Sequence, residues 1–275
     1  MIHGQSKISG LIGTHIAKSL SFAMHNYALN SLKIDACYLP FCAQPHDLPN
    51  ITPVFRTPSF VGANVTIPHK QAIIPLLDTL DAHAQRIKAV NTIISLPDGT
   101  LKGANSDAPG FLRALQEDNI STHRTVLILG AGGAARAIVD ALSTDAHEII
   151  ISNRTPDRAH TLIKDAQEMA PQQRYRFCAD PTDLPLPSDT LIIQCTPLGK
   201  HGEMPPHPQL HPQMSIVDLL YQHTPLLAKA QHIGARIQNG TPMLYHQAAL
   251  SFSWWFHTPP PITLMKQALN QRMAS

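Results

Sequence analysis

"STHRTVLILGAGGAARAIVDALSTDAHEIIISNRT", residues 121–155, decides the fold class. "TVLIL" is an uninterrupted apolar run, the pattern of a strand buried on both faces. "AARAIVDAL" spaces its apolar residues as a helix does, and "HEIII" is a second buried strand. Two such strands joined by a helix make one parallel βαβ unit, because parallel strands need a long crossover. Between the first strand and the helix, Gly130, Gly132 and Ala135 fit G-x-G-x-x-A, and Gly133 adds another small residue. Gly130 permits the tight turn, Gly132 lets backbone N–H groups approach a pyrophosphate, and Ala135 keeps the helix close to the strand. The positive end of the helix completes a dinucleotide cradle. A tight turn with no ligand would use the same glycines, but the strand–loop–helix context favours the nucleotide.

The second strand discriminates between dinucleotides. An NAD site places a carboxylate at its end for the ribose 2′-hydroxyl. Here the strand ends in Asn153, Arg154 and Thr155, with Arg158 following. Guanidinium forks suit a 2′-phosphate, which a carboxylate would repel. NADP is favoured over NAD. Surface arginines at a helix start are the plainer alternative.

Outward from this unit, strand-like and helix-like segments keep alternating, which gives an α/β class. Strands are predicted at 8–16, at 35–43 with Pro40 marking an edge or bend, and at "GANVTI". A hairpin spans 89–106 and turns at "PDGT", followed by a helix over 108–118. Further strands are expected at "RYRFCA", "TLIIQC" and "SIVDLL", and helices at 21–32 (capped by Ser21), 156–170 and 225–234. Two more helices form the tail. Two α/β domains result, joined near the 108–118 helix.

Composition excludes several classes. A net charge of +2 with no block of like charges leaves no nucleic-acid footprint. Four scattered cysteines without a C-x-x-C pair argue against disulfide scaffolds and zinc ribbons. His201, His207 and His211 lie in a proline-rich loop without metal-ligand spacing, so no metal is expected. His25 reads as a packed or capping histidine, and Trp254 and Trp255 as core and core edge. With no signal-peptide pattern and no apolar run of membrane-spanning length, the expectation is a cytoplasmic protein without a membrane partner.

"GANVTIPHK", residues 62–70, ends a strand at Pro68, read as the first turn of a helix, and then delivers Lys70. Taken alone, Lys70 is a solvated lysine; at the carboxyl end of a strand it is also placed where α/β sheets carry their sites.

With "AVNT" (89–92), "GANSDAPGF" (103–111), "CTPLG" (195–199), "DLLY" (218–221), "TPLL" (224–227) and "MLYHQA" (243–248), these motifs resemble the shikimate dehydrogenase family from about residue 10 to 250. The resemblance implies a substrate domain, residues 1–107 with 243–275, and a Rossmann-type NADP domain, residues 108–242. It implies reversible NADPH-dependent reduction of 3-dehydroshikimate to shikimate, in aromatic amino-acid biosynthesis. Lys70 and Asp107 would be the acid–base pair. Ser19 and Ser21, on one side of an extended segment, would hold the substrate carboxylate. Thr66, Asn91, Asp107 and Gln247 would serve the ring hydroxyls, with Tyr221 at the rim. Gly130, Ala131, Gly132, Gly133, Ala134, Asn153, Arg154, Thr155, Arg158, Leu219 and Gly240 would bind NADP. The chain would act on a small molecule as monomer or homodimer. A quinate/shikimate dehydrogenase using NAD and a non-catalytic NADP sensor are the alternatives. The chain departs from the family pattern at His15, Lys18, Phe22, Lys88, Ser106 and Pro242, where proline, histidine, proline, glycine, threonine and glycine are usual.

Overall fold

The computed structural model describes residues 3–274. In chain order the elements are β1 (Lys7–Gly13), α1 (Ser21–Ser31), β2 (Ala36–Cys42), α2 (Leu48–Ile51), β3 (Phe60–Val65) and β4 (Thr79–Leu80). Then come α3 (Ala82–Ile87), β5 (Thr92–Ser95), β6 (Leu101–Ala104), α4 (Asp107–Glu117), β7 (Thr125–Leu129) and α5 (Gly133–Leu142). They are followed by β8 (Glu148–Ser152), α6 (Pro156–Met169), β9 (Tyr175–Cys178), β10 (Leu191–Gln194) and β11 (Ser215–Asp218). The last are α7 (Pro225–His232), β12 (Arg236–Gln238), α8 (Thr241–Phe256) and α9 (Ile262–Ala274). The chain divides into one compact unit of residues 1–110 and 245–275 and another of residues 111–244, passing between them within α4 and α8.

The first unit carries a mixed sheet in the order β2-β1-β3-β5-β6-β4. β1 pairs parallel with both β2 and β3, whereas β5 runs antiparallel to β3 and β6. β2 is an edge strand, so Pro40, which has no N–H to give a ladder, is accommodated there. Phe41, Phe55 and Phe60 meet edge-on or tilted at 5.3–5.7 Å beside Val65, Ile73, Ile93 and Leu101. Trp255 of α8 is buried, and its Nε1–H donates to the Ile93 carbonyl at 2.9 Å. Gly62 makes room for this bond: its φ is +151°, and a Cβ there would lie 2.3 Å from Trp255 Nε1. Trp254 is half-buried.

Two local expectations are corrected. The Ile67–Pro68 peptide is cis, and residues 68–73 form turns rather than a helix, closing in a short 3-10 segment at Ile74–Leu76. Ser21 does not cap α1. Leu20 takes the cap position in the αR region without a side-chain cap bond, and Ser21 is the first helical residue.

The second unit carries six strands, all parallel, in the order β12-β11-β10-β7-β8-β9. In chain order this is the doubly wound arrangement 3-2-1-4-5-6 read from its other edge, which reverses direction between β7 and β10. The near-continuous burial of β7, β8, β10 and β11 explains their unbroken apolar runs. Leu127, Leu129, Ile150, Ile192 and Ile216 share one face under Leu226, Leu227 and Ala230 of α7. Each such side chain contributes about 1.5–3 kcal/mol on burial. No helix among the described residues is long and apolar enough to cross a membrane.

Candidate active site

In the first unit, Lys70 follows the turn beyond β3, and two anchors fix that turn. His69 is fully buried with Nε2 2.9 Å from the Ala43 carbonyl, while the Lys70 carbonyl accepts from Val90 N at 2.8 Å. The Lys70 ammonium donates to Asp107 Oδ2 at 2.5 Å, with side-chain exposures of 20% and 10%. Asp107 opens α4, and its own N–H donates to Asn105 Oδ1 at 2.9 Å.

The second carboxylate oxygen is held from β5. Asn91, just before that strand, donates from Nδ2 to Asp107 Oδ1 at 2.8 Å and to Ser106 Oγ at 2.9 Å. The amide orientation is unambiguous, because Ser106 N–H can only donate, and it does so to Asn91 Oδ1 at 2.8 Å. Gln247 of α8 joins through Ser106, whose hydroxyl donates to Oε1 at 3.4 Å. Lys70, Asp107, Asn91 and Gln247 thus form one hydrogen-bonded cluster.

Thr66 lies just beyond β3, half-buried, with its N–H on the Ile12 carbonyl at 3.0 Å. Ser19 and Ser21 stand at the start of α1, where the backbone turns rather than extends; Ser19 Oγ accepts from Ser21 N at 3.3 Å. Burial raises the Tyr38 hydroxyl well above its ordinary range, opposed by a hydrogen bond with the Ser21 hydroxyl. Lys18 is exposed.

In the second unit, Gly130 closes β7 with φ +115° and donates its N–H to the Ser152 carbonyl at 2.7 Å, which binds the loop to β8. Its missing side chain also matters: a Cβ would lie 3.1 Å from Thr196 Cγ2, on the loop after β10 at the switch point. Nothing lies within 4 Å of where a Cβ on Gly132 or Gly133 would stand, so the backbone there is open to approach. Gly132 caps α5 with no side-chain bond, leaving the first amides of the helix without a side-chain acceptor. Ala131 is buried and Ala134 half-buried. This open, donor-rich cradle fits a pyrophosphate. Beyond β8, Asn153 donates to the Thr155 carbonyl at 2.8 Å, and Arg154 and Arg158 are exposed with no carboxylate at the strand end.

Leu219, Tyr221 and Gly240 come together around buried Asp218, which accepts from Leu220 N at 3.0 Å and from Thr224 Oγ1 at 2.7 Å. Burial raises the Asp218 pKa, against those two bonds. Gly240 N–H donates to the Leu220 carbonyl at 2.9 Å, and a Cβ on Gly240 would stand 2.1 Å from the Leu219 carbonyl oxygen. Asn239 Nδ2 holds the Tyr221 carbonyl at 2.9 Å, and the Tyr221 side chain is 41% exposed. Among the described residues, no group of three or more His, Cys, Asp or Glu is close enough to hold a metal ion.

Sequence reading missed Gly110. A Cβ there would meet the Gln247 backbone nitrogen at 2.8 Å, so α4 and α8 approach closely where Gln247 enters the cluster. The glycine ending N-S-D-x-x-G was the available signal. Thr92, buried behind Asn91, ends the "AVNT" motif but was assigned no role, and Ser251 carried no signal of its own.

Three family descriptions match the chain: "Shikimate dehydrogenase substrate binding domain" over residues 11–93, "Shikimate / quinate 5-dehydrogenase" over 114–179, and "Shikimate 5'-dehydrogenase C-terminal domain" over 240–269. The shikimate dehydrogenase (NADP(+)) of Magnetococcus marinus is 39% identical over 281 residues, covering 98% of each chain. A crystal structure of a shikimate dehydrogenase in complex with NADP+ superposes with a TM-score of 0.89 at 33% identity, over 100% of this chain and 98% of that one. The Thermus thermophilus shikimate 5-dehydrogenase in complex with NADP(H) and shikimate gives 0.84 at 34% identity, over 97% and 99%. Matched along almost its whole length in sequence and in fold, the chain belongs to the shikimate dehydrogenase family.

Proposed function

We infer that this chain catalyses the reversible NADP-dependent oxidation of shikimate to 3-dehydroshikimate, a step of aromatic amino-acid biosynthesis. The observation carrying this reading is the 2.5 Å Lys70–Asp107 pair, half-buried and oriented through Asn91. Oxidising a secondary alcohol requires its hydroxyl proton to leave as hydride leaves the carbon. Lys70 Nζ takes that proton from the neutral-amine form, becoming the ammonium that donates to Asp107. In the reducing direction, the ammonium returns it to the developing alkoxide, which its charge also stabilises. Asp107 holds Lys70 in place through Oδ2 and is itself held by the Asn91 amide through Oδ1.

Residues 1–107 with 243–275 would bind the substrate and residues 108–242 the cofactor. Ser19 and Ser21 receive the ring carboxylate, and Thr66, Asn91 and Gln247 the hydroxyls, with Tyr221 at the rim. Buried groups wired for hydroxyls reject rings lacking them, because the protein partners would be left unpaired. The amides of Gly130–Ala134 and the α5 N-terminus would hold the pyrophosphate. Asn153, Arg154, Thr155 and Arg158 would take the 2′-phosphate end, and Leu219 and Gly240 the nicotinamide. Bound NADP supplies hydride exchange. The protein would work in the cytoplasm as monomer or homodimer, with neither nucleic acid nor membrane as partner.

The test follows absorbance of the reduced nicotinamide with purified protein, shikimate and NADP+. Lys70→Ala is expected to lower kcat by about 10³-fold while leaving NADP+ affinity within about twofold. Equal loss of turnover and cofactor binding would remove Lys70 from the chemistry.

A further inference from the structure

Behind Asp107 lies a second layer of buried polar side chains. Thr92 and Ser251 are 0% exposed, Asn91 3% and Asn64 6%. Such groups are costly to bury unless each is bonded, and here every one is. Tyr38 OH donates to Asn64 Oδ1 at 2.9 Å, which turns Asn64 Nδ2 toward Ser251 Oγ, also at 2.9 Å. Ser251 Oγ lies 2.8 Å from Thr92 Oγ1, and Thr92 donates to Asn91 Oδ1 at 2.9 Å.

Thr92 spends its single proton on Asn91, so its oxygen accepts from Ser251 at 2.8 Å, and Ser251 in turn accepts from Asn64. The Ser251 hydroxyl also faces the Gln247 carbonyl at 3.2 Å, a longer competing acceptor for the same proton. With the shorter contact made, the protons from Tyr38 to Asn91 run toward Asp107, the arrangement in which successive hydrogen bonds polarise one another. The far end is tied to α8 through Ser251, whose hydroxyl also lies 3.3 Å from Ser106 Oγ.

We propose that the hydroxyls of Thr92 and Ser251 are positioning groups for the reaction: they hold the Asn91 amide so that it restrains one oxygen of Asp107 and leaves the other to Lys70. This rests on the reading of Lys70 and Asp107 as the proton-handling pair. Without the Thr92 hydroxyl, Asn91 Oδ1 keeps Ser106 N–H as its firm anchor, and the amide gains freedom to swing.

Thr92→Val preserves shape and removes the hydroxyl. It is expected to lower kcat about five- to tenfold and to move the acid limb of the kcat–pH profile up by about half a unit, with NADP+ affinity unchanged. Ser251→Ala should act in the same direction with a smaller loss. The double variant should lose no more than Thr92→Val alone, because one chain is broken twice. Thr92→Ser should recover most of the loss. Wild-type kcat and pH profile in both single variants would overturn the proposal. So would a Thr92→Ser enzyme as impaired as Thr92→Val, since that loss would come from packing. Lys70→Ala assayed alongside separates the two levels. If it is inactive while Thr92→Val and Ser251→Ala match wild type, only the positioning role falls; if it keeps its turnover, the catalytic pair falls as well.

Discussion

His25 should make the first unit acid-sensitive in a way that one substitution removes. It lies one turn after Ser21 on α1, 1% exposed, with its ring stacked on Tyr38 at 4.1 Å and an interplanar angle of 9°. Phe252 and Trp255 close the pocket at 6.2 and 5.4 Å. Burial lowers its pKa from 6.5 to about 3. The unfolded chain therefore binds a proton that the folded chain refuses. The resulting stability is complete above pH 6.5 and is lost as pH falls toward 3.

At 1.36 kcal/mol per unit, the full span corresponds to about 5 kcal/mol, and the part falling between pH 7 and pH 5 to about 2 kcal/mol. A folded pKa anywhere below 4 gives the same figure in that window, which makes it the right one to measure. His25→Phe keeps an aromatic ring in the stack and removes the titration. Guanidinium unfolding would be followed by tryptophan fluorescence from pH 7.5 to 4.5. Both tryptophans, Trp254 and Trp255, lie in the part of α8 that belongs to this unit, so the signal reports its unfolding alone. The stability difference between variant and wild type should shift in favour of the variant by about 2 kcal/mol from pH 7 to pH 5. Parallel pH curves for the two proteins would refute the reasoning.

Two further outcomes are expected. Arg154→Ala should weaken NADP+ binding about tenfold in a fluorescence titration and leave NAD+ within about twofold; equal weakening of both would show that Arg154 does not serve the 2′-phosphate. Lys88 ends α3 at φ +52°, a conformation costing a side-chain-bearing residue about 1 kcal/mol. Lys88→Gly should therefore raise the melting temperature by about 2–4 °C, and a lower one would mean that the lysine side chain contributes more than the strain.

The second unit was the more legible half because its signals are local. "TVLIL" and "HEIII" are buried on both faces and so are apolar at every position, and the glycine loop carries its own backbone requirement. β12 and β4 escaped because they are three and two residues long, too short for any period. They exist only as partners of β11 and β6. The Lys70 turn was misread for a related reason. Proline followed by "QAIIPLL" looks locally like a helix start, whereas the turn is fixed by the Ala43 carbonyl and Val90 N–H from distant segments. Serine before a helical pattern suggests a cap, yet the Ser21 hydroxyl is engaged by Tyr38 across the unit. Of the candidate site, motifs supplied Lys70, Asp107, Asn91 and Gln247, which the fold brings into one cluster. Motifs also contained Asn64 and Thr92 but gave them no role, because a threonine opening a strand and a serine in an apolar helix look like ordinary packing until the fold juxtaposes them.

The departures from the family pattern carry a physical argument of their own. Where glycine is usual before "AVNT", Lys88 occupies the left-handed position glycine would take, so the backbone course is kept at the expense of strain. Pro242 is the second residue of α8, where a helix leaves its N–H groups unpaired in any case; the contact that matters, Gly240 N–H to Leu220, lies before it. Phe22 sets its ring edge-on to Tyr38 at 5.6 Å, joining the aromatic wall that buries His25. Ser106 lacks only the methyl of threonine, and its hydroxyl still meets Asn91, Gln247 and Ser251. These four changes are thus absorbed at a helix end, in an aromatic wall or by a hydroxyl kept in place, and none alters a group that bonds Lys70 or Asp107. The local backbone and the buried hydroxyls, rather than strict residue identity, are what this site requires of its surroundings.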